Sequence, residues 1–171
     1  MDNEVLDFFK LEIQKQCKFA LISYRYLNDS LENIVDPSLV WYYSQNLLFA
    51  TTNLSKLLWD SEDDKHRSQL RDSLNISEDS LLCDKNISQI FEYYDKKIIE
   101  WTSRNTENVY YATNIQLEIR DEDIQTENYF RNLDTTSLTL TFKGEIFKLR
   151  DLFEEIIKLN ESVNKLLPTT F

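Results

Sequence analysis

Apolar residues in the first part of the chain recur at every third or fourth position. Leu6, Phe9, Ile13, Cys17, Ala20, Tyr24, Leu27, Leu31 and Ile34 form one stripe over about eight helical turns. The spacing predicts a helix from Glu4 to Ile34, with Lys10, Gln14, Lys18 and Arg25 off the stripe. A second row, Phe19, Ile22 and Tyr26, widens the apolar arc. An arc this wide implies two packing neighbours, or one neighbour and a second copy of the chain.

Asp36-Pro37 is a start signal, because Asp caps helix N-termini and Pro fits the first turn, where its missing N–H leaves no bond unmade. The next helix is predicted to run to about Trp59, with Val40, Tyr43, Leu47, Ala50, Leu54 and Leu57 inward and Trp41, Leu48 and Leu58 on a flank. Ser61 followed by Asp64 has capping-box spacing and opens a short polar helix to about Leu74, expected to be peripheral. A connector with one helical turn near Glu78–Cys83 leads to Asn86, a predicted cap. From there Ile87, Ile90, Phe91, Tyr94, Ile98 and Trp101 keep helical spacing to about Ser103.

Beyond Asn105 the pattern becomes extended. Val109, Tyr111, Thr113, Ile115, Leu117 and Ile119 share one face of a strand-like segment, and Asp121–Glu127 reads as an acidic loop or short helix. In Ser137–Leu149, Leu138, Leu140 and Phe142 alternate with Thr139 and Thr141 before Lys143-Gly144. A two-residue turn there pairs Leu140 with Phe147 and Leu138 with Leu149. A final helix over residues 150–167 turns Leu152, Ile156, Leu159 and Val163 inward and stops at Pro168.

One Gly and two Pro in 171 residues imply few turns and long elements. The expected fold is mainly α: a four- to five-helix bundle with a small C-terminal antiparallel β-hairpin. One domain covers residues 1–171: a helical bundle over 1–104, an extended segment and hairpin over 109–149, and a helix over 150–167. Two cysteines are too few for a disulfide scaffold, and Cys17 on an apolar stripe reads as a buried thiol. No secretory leader or membrane-length apolar run is visible, so a soluble cytoplasmic protein without membrane attachment is expected. The net charge of −11 opposes direct nucleic-acid binding unless a local basic patch exists, and no Lys/Arg run is visible.

Phe91-Glu92-Tyr93-Tyr94-Asp95-Lys96-Lys97-Ile98, with Trp101, resembles a helix of the bacterial HEPN family that reads Arg-Asn-x-Phe-Glu-His-Phe-Asp-Glu-Arg-Ile and closes on Trp. Phe130–Asp134 and the hairpin look like that family's tail. The resemblance covers about residues 87–159. It implies a ribonuclease ancestry in which Arg holds phosphate and His moves protons in a cleft at a dimer interface. Here Ser88 stands at the Arg position and Tyr93 at the His position. Serine carries no charge, and tyrosine has a reference pKa near 10, too high for base work at neutral pH. His66 is the only histidine. An Arg in register with it would have to be residue 59, 60 or 61, and these are Trp59, Asp60 and Ser61.

The resulting expectation is a non-catalytic HEPN-like interaction protein, homodimeric, in a toxin–antitoxin or defence setting. An enzymatic alternative uses a non-standard site at Glu92, Tyr93, Asp95 and Arg131. A third reading is an acidic mimic of nucleic acid that blocks a basic protein. Trp41, Tyr42, Phe91, Tyr94 and Trp101 are the candidate interface residues, since Trp and Tyr dominate interface hot spots. No cofactor is expected: the single glycine, Gly144, excludes a glycine-rich phosphate cradle. No metal site is expected either. His66 has Gln69 and Leu70 at the following ligand positions, with only Glu62 and Asp63 behind it, and the acids from Asp121 lack calcium-loop spacing.

Overall fold

The computed structural model describes residues 3–59, 64–104, 113–116 and 129–167. These contain six α-helices and four strands: α1 (Asn3–Glu32), α2 (Pro37–Trp59), α3 (Asp64–Leu74), α4 (Lys85–Gln89), α5 (Tyr94–Arg104), β1 (Asn114–Gln116), β2 (Arg131–Asp134), β3 (Thr139–Phe142), β4 (Glu145–Lys148) and α6 (Leu149–Leu166). The mainly helical character holds. The expected four to five helices and simple antiparallel hairpin do not: there are six helices, and the strands form one mixed sheet in the order β1-β2-β3-β4. The chain divides into two compact units, residues 1–90 with 152–171, and residues 91–151.

The first unit is built around α2. Val40, Leu47, Leu48, Leu54 and Leu58 are buried, and so are Ser44, Thr51, Thr52 and Ser55. A hydroxyl in a dry core must find an acceptor. Ser44 Oγ donates to the Val40 carbonyl and Thr51 Oγ1 to the Leu47 carbonyl, each at 2.8 Å. Thr52 Oγ1 instead donates to the Ile87 carbonyl at 2.8 Å, which ties α2 to α4. Asp36 caps α2 as its sequence suggests, accepting from Ser38 N–H at 2.8 Å. The long stripe of α1 buries Ile13, Cys17, Ala20 and Leu27. Tyr24 stacks on Phe153 of α6 with ring centroids 3.7 Å apart, and Leu152, Ile156, Leu159 and Val163 are buried as their spacing requires.

Helix α3 is less peripheral than its composition suggests. Leu70, Leu74 and Arg71 are buried. Arg71 donates to the Leu58 carbonyl at 2.8 Å, pairs with Glu78 at 3.1 Å and lies over the Trp59 ring. The helix ends in a Schellman motif: Ile76 N–H bonds Arg71 O, Asn75 N–H bonds Asp72 O, and Asn75 has φ +56°. The predicted capping box at Ser61 lies outside the described residues, as do the Asp121–Glu127 loop and Pro168.

The helix expected from Asn86 to Ser103 is two helices. Asp84, not Asn86, caps the first, accepting from Asn86 N–H at 2.9 Å. The chain then turns at residues 90–93 and α5 begins at Tyr94. Tyr93 adopts φ +51° in that turn. A non-glycine residue there costs about 1 kcal/mol or more, so surrounding contacts must hold it.

In the second unit, β3 and β4 pair in the expected register, Leu140 opposite Phe147, with Leu149 N–H bonded to the Leu138 carbonyl. Lys143 at φ +56° and Gly144 at φ +83° form the tight turn. Two further strands extend this hairpin. β2 runs antiparallel to β3, Leu133 opposite Leu140, and β1 runs parallel to β2, Ile115 opposite Leu133. The Asn114 amide donates to Asn132 Oδ1 at 2.7 Å across the parallel pair. Asp134 organises the β2–β3 turn, accepting from Thr136 N–H, Ser137 N–H and the Ser137 hydroxyl.

A Cβ on Gly144 would meet nothing within 4 Å, so Gly144→Ala tests backbone conformation without a clash. The substitution is expected to destabilise the fold by about 1 kcal/mol, and Gly144→Asn by less. Chemical denaturation checks this; equal stability of Ala and Gly at this position would contradict the positive-φ turn.

Candidate functional site

Two places carry side chains beyond the needs of packing, one in each unit. In the first unit, α1 and α2 leave an apolar face open. Phe19, Ile22 and Tyr26 on α1 are about half exposed, as are Leu39 and Phe49 on α2, and Tyr42 more so. The positions recur at steps of three and four on α1 and of three and seven on α2, so each set lies along one helix face. Tyr26 stacks on Tyr43 at 5.3 Å, and Tyr42 meets Tyr43 edge-on at 5.2 Å. Between the helices lies a groove of about 270 Å³ lined by Gln16, Phe19, Ile22, Ser23, Tyr42, Tyr43, Asn46, Phe49 and Ala50. None of these lining side chains is charged.

The sequence-level interface candidates separate here. Tyr42 is exposed at 61% and lines this groove, while Trp41 is half-buried beside it in the chain. Phe91, Tyr94 and Trp101 belong to the second unit and are engaged within it. There Trp101 packs on Phe130 at 5.4 Å, Tyr94 on Phe130 at 6.3 Å, and Phe91 on Phe142 at 6.1 Å. These contacts attach α5 and its preceding turn to the sheet.

The enzymatic candidates also lie in the second unit. Glu92 is half-buried in the turn, Tyr93 is exposed at 66%, and Asp95 is exposed in the first turn of α5. Lys96 Nζ lies 4.7 Å above the Tyr93 ring. Arg131 opens β2, and its hydrogen bond goes to the Tyr94 hydroxyl at 2.5 Å. Ser88 donates to the Lys85 carbonyl within α4, whereas Tyr93 lies in the turn after that helix. Ser88 and Tyr93 therefore do not share one helix.

The structure adds a grouping that sequence reasoning missed. Arg131 lies 5.6 Å from the centre of the Phe130 ring and 5.5 Å from that of Phe142. Lys143 Nζ stands 4.0 Å over Tyr94 and 4.9 Å over Phe142. Two cations thus share Tyr94 and Phe142. Burial pushes Lys143 down to about 8, helped by repulsion from Lys97 and Arg131. At Asp134 partial burial would raise the carboxyl, but bonds from Ser137 and Thr136 outweigh it and hold the group below its ordinary value. Cys17 is the opposite of a nucleophile: burial pushes its thiol up to about 12.

Among the described residues no three His, Cys, Asp or Glu side chains are placed to hold a metal ion, and no helix is long and apolar enough to cross a membrane. The side chain of His66 lies outside the described residues, as do Glu62 and Asp63. No family model, curated protein or solved structure matches the chain.

Lys143 gives a signed pH dependence. Its folded value lies below the unfolded value near 10.4, so between about 8 and 10 the unfolded chain binds more protons. Stability from this group rises with pH across that window. Denaturation of wild type and Lys143→Gln in parallel should show the difference moving in favour of wild type from about pH 8 to 10. A constant difference would rule out the depressed value.

Proposed function

We infer that this protein is a non-catalytic interaction module that pairs with a second copy of itself through the α1–α2 face. The observation that carries the reading is the row of half-exposed Phe19, Ile22 and Tyr26, of which Phe19 and Ile22 line a groove with no charged lining residue. Isolated exposed apolar residues need no explanation, but a continuous aromatic patch marks a contact surface. Aromatic enrichment and charge depletion are what distinguish the centre of an interface from other surface.

The second copy is the occupant that the charge pattern favours. A two-fold contact presents one patch to itself, so a charged patch would repel its own image. This groove has no charge to repel, although the chain as a whole carries −11. The non-catalytic part is supported by the chemistry at the HEPN-like positions. Ser88 offers no fixed positive charge, Tyr93 offers no imidazole to move a proton, and the only histidine lies elsewhere in the chain.

Sedimentation of wild type should show a dimer at tens of micromolar; a strict monomer there rejects self-pairing. Ile22→Glu should weaken association about 100-fold, because it places an unpaired carboxylate in the contact, with little loss of monomer stability since Ile22 is half exposed. Added salt should tighten the dimer by screening repulsion between two acidic chains.

A further inference from the structure

The open face of α1 continues past the groove toward the start of the helix. Val5, Phe8, Glu12, Lys15, Phe19 and Ile22 follow alternating steps of three and four, the spacing of a coiled-coil seam. Val5, Phe8, Phe19 and Ile22 are exposed, and Phe8, at 76%, is the most exposed aromatic side chain among the described residues. This seam is distinct from the stripe of Ile13, Cys17, Ala20 and Leu27, which is buried within the first unit. Two charges interrupt the seam at its middle. Lys15 Nζ is 4.0 Å from Glu12 Oε2, the outer limit of an ion pair, and Lys15 is exposed. The Glu12 carboxylate is held in place. Gln16 Nε2 donates to its Oε1 at 2.7 Å, and Asn53 of α2 donates to Gln16 Oε1 at 3.2 Å. Gln16 is buried and lines the groove, so this chain of bonds fixes a carboxylate at the groove's edge.

We propose that two copies lie with their α1 helices antiparallel, Phe8 of each copy packing beside Phe19 in the groove of the other. The proposal rests on self-pairing through the α1–α2 face and adds its orientation and register. The order of the two charges selects the orientation. A parallel second copy would set Glu12 on Glu12 and Lys15 on Lys15. A two-fold axis passing between Ile13 and Gln14 instead sets Glu12 against Lys15 twice. The same register sets Phe8 against Phe19 and Val5 against Ile22, so every apolar position of the seam meets another. A shift of one heptad in either direction sets each charge against an apolar side chain, which desolvates it with no counter-charge. One polar layer in an apolar seam thus fixes register at some cost in affinity.

Cysteine cross-linking of the full chain tests the register. Phe8→Cys and Phe19→Cys are introduced together with Cys83→Ser, and the protein is mildly oxidised. The two positions are about 16 Å apart along one helix, too far for a bridge within a chain. Tryptic mapping of the cross-linked dimer should find the peptide holding position 8 joined to the peptide holding position 19. Position 8 joined to 8, or 19 to 19, as the main product overturns the antiparallel register while self-pairing stands. Sedimentation provides a second readout. Phe8→Ser and Lys15→Glu, both at exposed positions, should each weaken association about tenfold, with melting curves establishing that the variants are folded. Unchanged association in both, in a chain that Ile22→Glu still dissociates, would also overturn the register and leave self-pairing intact. A wild type that neither dimerises nor, with the paired cysteines, cross-links overturns both.

Discussion

A chain with one glycine must still turn, and that constraint shapes this molecule. Left-handed backbone is needed wherever an element stops sharply, and glycine normally supplies it without steric cost. Here Asn75, Tyr93, Leu138 and Lys143 take positive φ instead. Each stands at a junction: after α3, before α5, before β3 and in the β3–β4 turn. Asn75 is the one residue of the four whose type favours the conformation. The others must be held by what surrounds them: Leu138 by burial and its bond to Leu149, Lys143 by its bond to Phe130 and the rings beneath it. The same residue that closes the hairpin thereby brings a cation to Tyr94.

Much of the helical part was legible in the sequence because its signals are local. The stripes of α1 and α6 and the cap at Asp36 each lie within one element, and their periods survive into the fold. The Lys143-Gly144 hairpin was legible for the same reason. The break at residues 90–93 was not. Ile87, Ile90, Phe91, Tyr94, Ile98 and Trp101 keep helical spacing straight through it, and no Gly or Pro marks the turn. β2 was missed because Arg131–Asp134 has little alternation of its own; its partners are β1 and β3.

The candidate sites divide along the same line. The open α1–α2 face was foreshadowed by the breadth of the apolar arc at Phe19, Ile22 and Tyr26, a property of one helix. The cation–aromatic cluster had no such signal, because Tyr94, Arg131 and Lys143 lie in α5, β2 and the β3–β4 turn, and only the packing of these elements brings them together. Buried Arg71 is a comparable case. A polar helix concealed a guanidinium whose partners, the Leu58 carbonyl and Glu78, lie in different segments.

Cys17 has a kinetic meaning that packing alone does not convey. Its thiol is inaccessible and held in the unreactive protonated form, whereas Cys83 is partly exposed. Attack by an oxidant or an electrophile at Cys17 must therefore wait until α1 leaves its seat, while Cys83 can react with the fold intact. The two sulfurs form a clock with two hands: one follows the chemistry of the surrounding solution, the other the rate at which the helical unit opens.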